Sequence, residues 1–194
     1  GGFEITTVRP EGVLEGWAFD ELSRIDPAIG GSTRVEIDAL RLMAVFLVHW
    51  DNNHRQHRMV CMTPGFKGKP DELCDDSRLV LHDIGNTFGH MRKDLVDWAK
   101  IPIWADYDQC TINLKDLPYE GGSLREVQIP ESSRQFLAGL LSQLSHEQIR
   151  TLFRDSYFST SKDAKKRDEE VDTWVRVFEL KRRLIVDRKP CPLP

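Results

Sequence analysis

Between Leu47 and Cys61 the chain reads LVHWDNNHRQHRMVC. The nine positions from His49 to His57 hold three imidazoles, one carboxylate, three carboxamides and one guanidinium. Asp51 and Gln56 stand five apart, and a second carboxylate, Asp83, follows in LHDIGNTFG, two positions ahead of Gly85. Carboxylate and carboxamide oxygens are hard donors suited to Mg²⁺. A carboxylate beside a hydroxyl can orient it or take its proton. Phosphoryl transfer needs both kinds of group in one cleft. Gly85 would let the backbone turn close to a phosphate or metal.

The flanking elements must bring these groups together. RMVC (58–61) and RLVLHDI (78–84) predict two short strands, and MTPGFKGKPDELCDDS between them is rich in Gly, Pro and Asp. A hairpin with a long tip follows, and it would return Asp83 to the polar turn. Upstream, Thr33 and Glu36 fit a capping box for a helix leading to the turn. Ile37, Leu40, Ala44 and Leu47 define one face of that helix, and Leu42, Val45 and Val48 widen it. A helix apolar on most sides is a buried one.

Elsewhere, Leu14, Trp17, Leu22 and Ile25, interrupted by Gly16, predict a short helix within residues 11–26. GNTFGHMRKDLVDWAK passes from a glycine-bracketed segment into a short helix; Phe88-Gly89 reads as an activation-type loop or as a plain turn. Residues 101–128, with Pro102, Pro118, Gly121 and Gly122, predict irregular chain and one short strand near 110–114. Trp98 and Trp104 are expected in the core or on a cleft wall. Pro130 suits a first helical position, ahead of Phe136, Leu137, Leu140, Leu141 and Leu144. Ser145 and Gln148 make another capping box before Ile149, Leu152 and Phe153. STSKDAKKRDE predicts a polar break whose charges are a solvated face. A last amphipathic helix would then carry Trp174, Val177, Phe178, Leu184 and Ile185 on one side. The expected class is mainly α (α+β), a helical domain with a small central β-hairpin, and residues 1–194 are read as one domain.

On these residues the chain resembles the protein-kinase-like superfamily. HWDNNHRQ is similar to its H-x-D-x-x-x-x-N catalytic loop, and HDIG to its D-F-G metal motif. The wider text, with IPIWADYDQC and RQFLAGLL, is similar to a group of uncharacterised bacterial kinase-like proteins. The resemblance implies the C-terminal lobe of an atypical kinase, which moves the γ-phosphate of ATP to a hydroxyl of a protein, lipid or small molecule. It implies Asp51 as the catalytic aspartate, Gln56 in the place of the metal-binding Asn, and Asp83 as a ligand of the Mg²⁺ that bridges the nucleotide phosphates. Gly85 would lie beside the nucleotide, and His49 would brace the catalytic loop. Gln56 departs from the pattern by one methylene, which displaces a donor in a site demanding near-octahedral geometry. No Gly-rich loop, strand lysine and helix glutamate precede residue 36, so the family's N-lobe is expected to be missing from this chain. The segment alone is then expected to be a poor phosphotransferase. A non-catalytic, pseudokinase-type interaction domain is the alternative expectation.

Composition bounds the alternatives. With 194 residues, 40% hydrophobic and 30% charged, the chain has the make-up of a soluble globular protein that buries a sizeable core. A net charge of −4 argues against broad nucleic-acid binding. No apolar run is long enough to span a bilayer. The chain begins Gly1-Gly2 and its location is left open. His49, His54, His57, His82 and His90 cluster in sequence, but neither H-E-x-x-H nor a Cys/His finger spacing occurs. Surface or hydrogen-bonded histidines are therefore expected, with His54, Arg55 and His57 as accessory polar residues. No G-x-S-x-G elbow is present. Of the four cysteines, Cys61 and Cys74 bracket a loop and are either bridged or buried as free thiols.

Overall fold

The computed structural model describes residues 16–29, 31–49, 51–52, 54–67, 74, 76–81, 85–89, 93–119, 122–156 and 158–192. Helix α1 spans Arg34–Leu47 and begins as its sequence predicts. The Thr33 hydroxyl accepts from the Glu36 N–H, and the Glu36 carboxylate returns a bond to the Thr33 N–H at 2.7 Å. Such a cap stabilises a helix by about 1 kcal/mol. The helix stops at Val48, which adopts a left-handed φ of 51° and donates its N–H back to Ala44 and Val45. Its most buried residues include Leu42, Val45 and Phe46, whereas Leu40 and Leu47 are only half-buried.

Among the described residues four more α-helices follow: α2 (Leu95–Lys100), α3 (Glu131–Ser142), α4 (His146–Asp155) and α5 (Ala164–Val186). Helix α1 packs on α3, while α5 touches α2, α3 and α4 and so forms the spine. Trp98 stacks on Trp174 at 5.7 Å, Trp174 on Phe153 at 5.8 Å, and Phe46 meets Phe178 edge-on at 5.0 Å. Two large buried polar side chains in this core find partners, as the low local dielectric favours. The Trp98 indole N–H donates to Phe46 O at 2.8 Å. The Lys181 ammonium donates to the carbonyls of Trp98 and Ile101 at the end of α2, at 2.9 and 2.7 Å. Burial pushes this lysine down to about 8.

Two expectations need correction. Helix α5 begins at Ala164, inside the stretch read as a polar break, because Asp163 caps it by accepting the Lys166 N–H at 2.8 Å. Lys165, Lys166 and Arg167 are exposed on its first turns, so their charges still face water. Phe136, Leu140, Leu152 and Leu184 are exposed, between 44% and 51%, although each belongs to a helical apolar pattern. Neighbouring helices cover a limited arc, here Leu137 and Leu141 on α3 and Phe178 and Ile185 on α5. Among the described residues, 101–128 hold five two- or three-residue strands instead of one: β3 (Trp104–Asp106), β4 (Thr111–Ile112), β5 (Pro118–Tyr119), β6 (Gly122–Ser123) and β7 (Val127–Gln128). They pair antiparallel as β3-β4-β7 and β5-β6. Strands this short carry too few residues for a period of two to register.

The expected hairpin is present, with β1 (His57–Cys61) antiparallel to β2 (Ser77–Leu81). Its register runs from His57 opposite Leu81 to Cys61 opposite Ser77. Cys61 is bridged to Cys74 at the tip, and a second disulfide joins Cys110 to Cys191 across 81 positions. In the chain-entropy account such loops contribute about 3 and between about 4 and 5 kcal/mol respectively. The class is mainly α with small antiparallel sheets, as the sequence predicts. The one helix expected within 11–26 is a 3-10 helix, Phe19–Arg24, among the described residues.

Candidate functional site

The polar turn rests on a platform laid down by residues 16–19. A Cβ on Gly16 would lie 1.8 Å from the carbonyl oxygen of His54, so only glycine lets the two backbones meet. The Trp17 ring stacks on His57 at 4.6 Å, and its indole N–H donates to Arg58 O at 3.1 Å. Phe19 donates its N–H to Asn52 O at 3.2 Å, and its ring lies 5.9 Å from His49 and 5.8 Å from His57. The two imidazoles are 5.3 Å apart. His49 is thus buried behind the turn. His57 is fully buried, because Trp17 and Phe19 close over it. His54 and Arg55 are exposed.

Above this platform the chain that follows β2 comes back to Asp51. The Asn86 N–H donates to Asp51 Oδ2 at 3.2 Å, and the Asn86 side-chain amide donates to Oδ1 at 3.0 Å. Asp51 is 8% exposed. Two residues further, Phe88 donates its N–H to Leu47 O at 2.6 Å, the last residue of α1. Phe88 has φ 63° and Val48 φ 51°, both in the left-handed region that side chains disfavour. Each such residue costs about 1–3 kcal/mol and persists only where its surroundings overdetermine it. For Phe88 the surroundings are an aromatic pocket: Trp98 at 4.9 Å, Phe158 at 5.1 Å and Phe153 at 5.6 Å, all edge-on. The Asp94 N–H then closes the loop onto Phe88 O at 2.9 Å, directly before α2.

Of the residues singled out from sequence, Asp51 is buried at this junction. Gln56 is half-buried one position ahead of β1, and Gly85 is exposed next to Asn86. Asp83 lies outside the described residues, and so does the expected convergence of Asp51 and Asp83 in one cleft. Among the described residues no group of three or more His, Cys, Asp or Glu side chains gathers as metal ligands. Spacing had not marked Asn86, Gly16 or Phe19. Their contacts span 30 to 38 positions, beyond the reach of any helical or strand period. Comparisons with family models, with curated proteins and with solved structures find no match for this chain.

Proposed function

We propose that this chain carries the catalytic turn of a kinase-like phosphotransferase that uses Mg-ATP and a hydroxyl acceptor. The observation that supports this most is the pair of bonds from Asn86 to Asp51. They join the H-x-D turn to the segment immediately after Asp83-Ile84-Gly85, as the order of the two motifs requires. In this reading Asp51 takes the proton of the acceptor hydroxyl as its oxygen bonds to the γ-phosphorus. The bond from that phosphorus to the β,γ-bridging oxygen breaks, and ADP leaves. Gln56 and Asp83 would hold Mg²⁺, which when bound supplies charge neutralisation on the phosphate oxygens. Gln56 and Asp83 both offer hard oxygen donors, which suits that ion. The paired cysteines suit an oxidising compartment.

A binding scaffold without turnover is the second reading, favoured by the burial of Asp51 and by the longer side chain of Gln56. A thermal-shift titration separates the two. Mg-ATP at 100-fold its Kd should stabilise the full-length protein by about 2.7 kcal/mol, with the effect lost on adding EDTA and in Asp83→Asn. No metal-dependent shift in the full-length wild-type protein would defeat the phosphotransferase reading.

A further inference from the structure

We propose that Asn86 is the positioning residue of this site, whose backbone and side-chain amides hold the Asp51 carboxylate in the orientation from which it meets the acceptor hydroxyl. The role rests on the kinase-like reading of Asp51, but its geometry stands on observations of its own. Both oxygens of Asp51 are tied to the same residue, one to its N–H and one to its amide nitrogen. A single bond would leave the carboxylate free to turn about it, whereas two stop that rotation. A carboxylate accepts through about four lone-pair positions, so two bonds leave capacity for a hydroxyl. An ionised carboxylate only accepts, which obliges Asn86 to present its nitrogen and not its oxygen.

Asn86 is itself held by the fold. Phe88, two residues on, is pinned by its N–H to Leu47 O and by its ring among Trp98, Phe153 and Phe158. Leu47 and the left-handed Val48 lead directly to His49 and Asp51 on the other strand of the same junction. Donor and acceptor therefore hang from one anchor, with backbone strain on each side of it. An aspartate at position 86 would set two carboxylates face to face, and an alanine would remove the side-chain donor. A histidine keeps a ring N–H at nearly the reach of the asparagine nitrogen.

Two measurements test this separately. In thermal melting, Asn86→Asp should lower Tm by about 5 °C or more, and combining it with Asp51→Asn, which exchanges donor and acceptor, should recover at least about half of the loss. A double variant that melts no higher than Asn86→Asp overturns the tether. In Mg-ATP turnover, with release of ADP as the readout, Asn86→Ala should lose on the order of 100-fold in kcat with KM for Mg-ATP changed by less than about three-fold. Asn86→His should keep kcat within about ten-fold of wild type, and the exchanged pair should be folded yet as slow as Asp51→Asn. If Asp51→Asn is inactive while Asn86→Ala keeps full kcat, the positioning role falls and the phosphotransferase reading survives. Full-length protein without Mg-ATP turnover removes that reading and this role with it.

Discussion

Replacing Glu131 by Gln tests how the end of the chain is clasped to the helical core. Glu131 opens α3 and its carboxylate is the hub of four donors. Arg134 donates Nε to Oε2 at 2.8 Å and Nη2 to Oε1, Gln135 donates to Oε1 at 2.9 Å, and the Cys191 N–H donates to Oε2 at 2.8 Å. The Arg134 bonds, chiefly, hold this carboxyl down from 4.5 to about 2, with the Cys191 N–H and Gln135 adding to the effect against the cost of burial. At about 1.4 kcal/mol per pH unit, that depression is worth about 3 kcal/mol of stability at neutral pH. The side chain is 21% exposed, so solvent screening removes little of it. Because the folded value is depressed, the contribution is complete above pH 4.5 and is lost as pH falls through about 2. Arg134 also donates to Ile185 O at 2.6 Å and is nearly buried, so Glu131→Gln leaves a cation without its carboxylate. Urea denaturation of wild type and Glu131→Gln, disulfides intact, should show a gap of about 3 kcal/mol at pH 7 that closes toward zero near pH 2. A gap that stays constant with pH, or one below about 1 kcal/mol at pH 7, would refute the assignment of the clasp to this ion pair.

Two further outcomes follow from the same kind of reasoning. Lys181 is depressed by burial to about 8 from 10.5, so between those values the unfolded chain binds more protons than the folded one. Stability should therefore rise with pH across that window by up to about 3 kcal/mol, and denaturation of Lys181→Gln should lack the rise. Gly16→Ala would set a methyl group 1.8 Å from His54 O, and backbone must move to admit it. Its Tm should fall by several degrees, about 5 °C for a change of 1–2 kcal/mol, and the stacking of Trp17 on His57 should loosen, seen as a shift in tryptophan fluorescence. An unperturbed melt and spectrum would mean that residues 16–19 do not support the turn.

The elements legible from sequence are those whose signals are local. Thr33 with Glu36 and Ser145 with Gln148 mark helix starts because a capping box closes within four residues, and both boxes form as read. The β1-β2 hairpin was legible because two short apolar runs flank a stretch of turn formers. The face that a helix buries was less so. Leu137 and Phe136 are neighbours in one apolar run, yet only Leu137 is covered. Which side meets a partner depends on where α5 lies, and no spacing within α3 records that. The pairing of Cys110 with Cys191 is of the same kind, since the spacing of 81 residues says nothing about which chain ends meet.

The candidate site divides along the same line. Sequence alone marked Asp51, Gln56, Asp83 and Gly85, because residue type and short spacing suffice to suggest oxygen donors near a tight turn. Tertiary structure decided that Asp51 is gripped at both oxygens by Asn86, that His57 belongs to the platform beneath it, and that the aromatic core reaches the junction through Phe88. These are contacts between segments tens of residues apart, made where α1 ends in a strained residue and the chain after the hairpin returns. Local preference disfavours Val48 and Phe88 in their observed conformations. Only the packing and hydrogen bonds of the folded chain outweigh that preference, so no reading of either segment alone would place them there.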